Sequence, residues 1–113
     1  MYVADDTATA GLGGVIKFTF DGTNWVRQYN VVATQSRSLA WDGTNLYAVT
    51  SGNTVLKILD GGSAAGSSSS VIYTGGTNTA LRGIRYVPAA VPEPTTIAAL
   101  GLGLVAAIKR RRR

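Results

Sequence analysis

The sequence contains no cysteine and no histidine among its 113 residues. Without cysteine there is no disulfide, no thiolate nucleophile and no thiolate metal site. Without histidine there is no imidazole base, no Ser-His-Asp triad and no zinc site built on imidazole. Acidic side chains are scarce as well: Asp5, Asp6, Asp21, Asp42, Asp60 and Glu93. Most of them fall in segments that read as turns. The expectation is a non-enzymatic chain with no cofactor and no metal.

Charge is equally informative. The formal net charge is +5, and Lys109, Arg110, Arg111, Arg112 and Arg113 account for all of it. Residues 1–108 hold six basic and six acidic side chains, which cancel. A basic binding face on a globular body is therefore excluded, and only a basic tail remains. The length allows one small domain, and 14 glycines against three prolines imply many turns.

Composition divides the chain into three parts. Residues 1–88 alternate short apolar runs with Gly, Asn, Asp, Ser and Thr. Residues 89–94 form a Pro-rich linker ending in Pro92-Glu93-Pro94, and residues 95–113 form an apolar run followed by five cations. Each proline of the linker removes an N–H and fixes φ, so this step cannot continue a strand ladder.

In the body, Val15–Phe20 alternates with Ile16, Phe18 and Phe20 on one face. Trp25–Val32, Leu39–Trp41, Leu46–Thr50, Val55–Leu59, Val71–Thr74 and Ile84–Val87 follow as further strands bounded by turn residues. Ser67–Ser70 belongs to a low-complexity loop. Internal repeats are present. Asp21-Gly22-Thr23-Asn24 recurs as Asp42-Gly43-Thr44-Asn45, and Arg37–Trp41 aligns with Arg82–Tyr86. The shift of 45 residues that relates the last two segments also carries Tyr2 onto Tyr47.

A four-strand unit of this length has the spacing of a propeller blade. The body resembles the blade repeats of secreted propeller proteins. The expected fold class is accordingly all-β, with antiparallel four-stranded blades of a partial β-propeller followed by one C-terminal transmembrane helix. Residues 2–32 would supply three strands of one blade, Leu39–Thr74 a second blade, and Ile84–Val87 the start of another. About two blades do not close a propeller, so the sequence is expected to be the C-terminal part of a longer protein. Exposed edges would otherwise favour self-association.

Thr95–Ile108 is a 14-residue run without a charge. As a helix it is about 21 Å long, against a hydrocarbon core of about 30 Å. Two features favour a membrane reading despite the length. The body offers no helical partner for so apolar a segment, and the run ends in Lys109–Arg113, whose long side chains can snorkel. A cationic block beside an apolar helix stays in the cytoplasm, which would place the body outside the inner membrane. Ala99, Gly103 and Ala107 recur every four residues as a small-residue face suited to close helix packing, although such residues also occur in any short span.

Val91-Pro92-Glu93-Pro94, a short Gly/Ala/Leu helix and a terminal Arg cluster together resemble the PEP-CTERM sorting signal of Gram-negative bacteria, over residues 91–113. The resemblance implies export, retention in the inner membrane, and processing near Pro-Glu-Pro by exosortase, a membrane-embedded cysteine protease. It implies a periplasmic body that later reaches the cell surface or medium, and an association with exopolysaccharide and biofilm material. Pro92, Glu93 and Pro94 would be the recognition residues, and Lys109–Arg113 would set orientation.

Competing readings can be weighed from the residues. Asp21 and Asp42 suggest calcium, but one carboxylate per turn makes a poor hard-cation site, and Asp-Gly steps are ordinary hairpin chemistry. Gly11-Leu12-Gly13-Gly14 lacks the lysine of a phosphate loop. Adjacent Asp5 and Asp6 would point to opposite faces of a strand, which defeats glycosidase geometry. Trp25, Trp41, Tyr47, Tyr73 and Tyr86 could stack on sugars, but in packed blades they are expected between the sheets. No aromatic residue interleaves the arginines, which argues against a nucleic-acid tail. The alternatives kept open are a propeller hydrolase or lyase with its catalytic groups elsewhere, and a carbohydrate-binding module.

Overall fold

The computed structural model describes residues 1–89 and 95–112. Seven strands and one helix are present among them: β1 (Tyr2–Asp5), β2 (Gly14–Phe20), β3 (Trp25–Val32), β4 (Ser36–Trp41), β5 (Leu46–Thr50), β6 (Thr54–Leu59), β7 (Ser68–Thr74) and α1 (Thr95–Arg111). The strands form two antiparallel meanders, β1-β2-β3 and β4-β5-β6-β7.

The hairpin turns follow from the repeated tetrapeptide. In both copies the aspartate Oδ1 accepts the N–H groups two and three residues on: Thr23 and Asn24 for Asp21, Thr44 and Asn45 for Asp42, at 2.7–2.8 Å. Gly22 and Gly43 take φ of 102° and 101°, a region that L residues avoid. The first copy joins β2 to β3 and the second joins β4 to β5. These are different places in the two sheets, so the same four residues make the same turn wherever hairpins are needed.

Both sheets contribute to one core. Val15, Val31 and Val32 come from the first sheet, and Leu46, Ala48, Leu56 and Ile58 from the second, with Tyr2, Tyr29 and Leu39 packed around them. Each of the Val, Leu and Ile side chains stabilises the fold by about 1.5–3 kcal/mol when fully buried. The expected face of Ile16, Phe18 and Phe20 does not form. Register shifts between Val15 and Ile16 and between Lys17 and Phe18 bury Val15 and Ile16 together and leave Phe20 55% exposed. Gly14 is required where β2 begins: its φ is 121°, and a Cβ there would stand 2.1 Å from the Val32 carbonyl oxygen.

The partial β-propeller is overturned. Seven of the eight strands expected in the body are present, in sequential antiparallel order, but they form two open sheets sharing a core, with no ring of blades. Strand spacing reports hairpins, which are local; it does not report how sheets are arranged around an axis. The eighth, Ile84–Val87, is absent. Its Ile84 N–H goes to the Ser38 hydroxyl at 3.1 Å, so a side chain has replaced a ladder partner.

Residues 75–87 lie back across the second sheet. Asn53, in the turn between β5 and β6 with φ 62°, holds their first part. Its carbonyl accepts the Gly75 N–H (2.8 Å), its Nδ2 donates to the Thr79 carbonyl (3.0 Å), and its Oδ1 accepts the Leu81 N–H (2.6 Å). Ile84, Arg85, Tyr86 and Val87 then line a shallow groove of about 190 Å³ with Ala40 and Tyr47.

Candidate functional site

The candidate site is C-terminal, and its described part is α1. Alanine and leucine favour this helix, while Gly101 and Gly103 each cost about 1 kcal/mol relative to alanine. Neither glycine has a neighbour within 4 Å of the position a Cβ would take, so no packing within the described residues explains them. Lys109, Arg110 and Arg111 occupy the last turn, where cations complement the unpaired carbonyls of the helix end.

Seventeen residues span about 25 Å at 1.5 Å each. Among the described residues no helix is long and apolar enough to cross a membrane. The expected transmembrane helix is thereby overturned. Its uncharged run stops at Ile108, and the remaining turn is cationic, so the continuous apolar stretch falls short of the roughly 20 residues a span requires. The described helix side chains are exposed, including Leu100 (70%), Leu102 (72%) and Leu104 (66%).

The structure places the expected site residues as follows. Ala99, Gly103 and Ala107 lie on α1 and are exposed. Lys109, Arg110 and Arg111 close the helix, and Arg112 follows it. Pro92, Glu93, Pro94 and Arg113 lie outside the described residues.

The body contains a polar junction that the sequence reading missed. Asp60, just after β6, accepts hydrogen bonds from Lys17 Nζ (2.6 Å) and the Tyr2 hydroxyl (2.7 Å) on Oδ2, and from the Tyr29 hydroxyl (2.7 Å) and the Gly62 N–H (2.9 Å) on Oδ1. Tyr2, Lys17 and Tyr29 come one from each strand of the first sheet, so one carboxylate bolts that sheet to the second. Burial alone would push the Asp60 carboxyl up. The bonds from Lys17, Tyr29, Tyr2 and Gly62 outweigh it and hold the group well below the usual carboxylate range. The bond to Asp60, reinforced by Tyr29, pushes the Lys17 ammonium up. Burial and then Asp60 push the Tyr2 phenol up, and Asp60 does the same to Tyr29. Every member is a partner of the carboxylate, which makes this a structural junction and leaves no free nucleophile.

Asp42 and Asp21 are engaged locally. Backbone N–H groups of Asn45 and Thr44, with the Tyr47 hydroxyl, hold Asp42 below its ordinary value. Asn24 and Thr23 do the same for Asp21. Both behave as turn caps, and no group of three or more potential metal ligands exists among the described residues. The aromatic residues expected between the sheets are mostly outside: Trp25 is 54%, Trp41 50%, Tyr73 55% and Tyr86 47% exposed. The core is small and aliphatic, and hairpin ends carry Trp25, paired with Phe20 at 5.3 Å, into solvent.

Comparison with known families settles the tail. Residues 90–113 match the PEP-CTERM protein-sorting motif. The match covers about a fifth of the chain and includes both the Pro-Glu-Pro step and the terminal arginines. No curated protein and no solved structure matches the chain. The PEP-CTERM segment marks a protein sorted through exosortase, with export and processing at the membrane.

Proposed function

We propose that this chain is an exported bacterial surface protein without catalytic activity, whose C-terminal segment serves as the substrate of an exosortase-type protease. The observation that carries this reading is the co-linear match of residues 90–113, with Pro-Glu-Pro, apolar helix and cationic end in order. Before processing, the apolar surface of α1 and the charges of Lys109–Arg113 hold the chain at the inner membrane, with the body on the periplasmic side. Anionic headgroups attract each cation by about 1 kcal/mol near the surface. Pro92 and Pro94 keep the main chain extended for capture as a strand, and Glu93 keeps the motif out of hydrocarbon. After cleavage the body is released to the surface or medium, where it associates with exopolysaccharide. Its acids support a non-catalytic role, since Asp21 and Asp42 cap turns and Asp60 is saturated with donors.

Mass spectrometry of the mature C-terminus in a host that processes such signals tests the reading. A new C-terminus near Pro92–Pro94, absent when the protease is deleted, is the expected result. An intact Arg113 terminus on exported protein overturns it.

A second reading, a carbohydrate-binding module, is favoured by one observation: Trp25 and Trp41 present half-exposed rings that sugars could stack on. Saturable binding to an exopolysaccharide, weakened by Trp25→Ala or Trp41→Ala, is its signature. Absence of binding to every polysaccharide tested removes it.

A further inference from the structure

We propose that Asn53 and Ser38 are positioning residues for C-terminal processing: they clamp residues 75–87 to the second sheet as a strap, and the strap fixes how far the sorting motif reaches from the body. The inference rests on the reading of this chain as an exosortase-type substrate and goes beyond it, because nothing in the sorting motif itself involves the body.

The strap is held at two points. Asn53 takes the N–H groups of Gly75 and Leu81 and donates to the Thr79 carbonyl, and the Ser38 hydroxyl takes the Ile84 N–H. The segment forms no strand, so these bonds, all but the Gly75 one made by side chains, replace the ladder that would otherwise dock it. Beyond the clamp, Ile84–Val87 line one wall of the groove completed by Ala40 and Tyr47.

Reach follows from chain geometry. From Val87 to Glu93 there are six residue steps, which extend to at most about 20 Å at ~3.3–3.6 Å per residue. That is shorter than the diameter of a small domain, roughly 30 Å. A docked body therefore stays within about 20 Å of any membrane-embedded enzyme that takes hold of Pro92–Pro94. With the strap released as far as Gly75, whose N–H stays on the Asn53 main-chain carbonyl, eighteen steps intervene and the limit rises to about 60 Å. The strap thus slows processing by keeping the body close, and its release relieves the crowding.

The test uses the full chain behind an export leader in a host carrying the protease, with the rate of C-terminal cleavage followed by pulse–chase. Asn53→Gly keeps the positive φ that the turn needs and the main-chain bond to Gly75 while deleting the side-chain bonds to Thr79 and Leu81, and it is combined with Ser38→Ala. The double variant is expected to be processed about threefold faster or more, because a crowded folded body no longer has to fit against the enzyme. Trypsin should cleave after Arg82 and Arg85 about tenfold faster, as expected when two or three hydrogen bonds no longer oppose opening. A flexible Gly/Ser insertion after Ala89, which leaves the strap intact, should accelerate processing equally, and adding it to the double variant should bring no further gain. Insertion and double variant both processed at the parental rate overturns the inference alone. A parent chain that is exported but never cleaved overturns the functional reading and this inference with it.

Discussion

Replacing Asp60 by asparagine tests what joins the two sheets. The four close groups around this carboxylate are all donors: Lys17 Nζ, the Tyr2 and Tyr29 hydroxyls and the Gly62 N–H, with the Ser67 hydroxyl farther out at 3.5 Å. Asparagine offers one acceptor oxygen and one NH₂. If the oxygen faces Lys17 and Tyr2, the NH₂ faces Tyr29 and Gly62. The Tyr29 hydroxyl can turn and accept, whereas the Gly62 N–H is left without a partner. The Lys17 bond also loses its charge assistance, and hydrogen bonds to charged groups contribute about 1.5–3 kcal/mol. With the Asp60 side chain 11% exposed and that of Lys17 27% exposed, the lower half of that range applies. We expect Asp60→Asn to destabilise the body by about 2 kcal/mol, or roughly 10 °C in Tm for a domain of this size.

The pH profile supplies an independent readout. The folded-state pKa of Asp60 lies below its unfolded value, so its contribution is complete above the ordinary carboxylate value of about 4 and is lost as pH falls. Lys17, Tyr2 and Tyr29 are shifted upward, so their contributions are complete below about 10 and fade as pH rises through the elevated values. The parent should therefore hold a stability plateau between those limits, and the variant should lose the share of the acid-side decline that Asp60 supplies while keeping that of Asp42 and Asp21. Urea titrations from pH 2 to 11, followed by near-UV circular dichroism, measure both. An unchanged midpoint at pH 7 with an unchanged acid limb would refute the assignment of Asp60 as the inter-sheet bolt.

Further outcomes can be checked separately. Gly14→Ala forces a Cβ to within 2.1 Å of the Val32 carbonyl oxygen, so the hairpin pairing must shift; a loss of about 3 kcal/mol or failure to fold is expected in the same titration. Pro92→Ala combined with Pro94→Ala should abolish the mature C-terminus in mass spectra while leaving export intact. Ala99→Leu with Gly103→Leu should raise the helicity of α1 through the glycine position alone, yet slow cleavage if close helix approach to the protease matters. Unchanged cleavage kinetics would reject that docking face. Reversing Lys109–Arg113 to glutamates should shift the unprocessed chain from the membrane fraction to the soluble fraction on flotation.

Six of the body's strands were legible from the sequence because each is a short β-branched or aromatic run bounded by turn residues. The Asp-Gly-Thr-Asn turns were legible for the same reason: their hydrogen bonds involve residues only two or three apart. What escaped is everything that depends on partners distant in the chain. Asp60 looked like one more turn acid, and nothing near it announces Tyr2, Lys17 or Tyr29. The alternation of Ile16, Phe18 and Phe20 suggested a buried face that two register shifts then redistributed. Ile84–Val87 has strand composition, but the Ser38 hydroxyl takes its first N–H and the ladder does not form. The sorting segment was the easiest part to read, because its function lies in a linear order of residue types and not in a fold.

The bolt at Asp60 also constrains the order in which the body can be completed. Tyr2 and Asp60 are 58 positions apart, so the first strand cannot be locked until the sixth has appeared. In a chain threading N-terminus first through a translocation channel, the opening segment must wait on the outer side, loosely held. Thr95 trails Asp60 by about 35 residues, so Asp60 can emerge and lock the sheets while the address label is still in transit. The two sheets can thus be joined before the label arrives to be read.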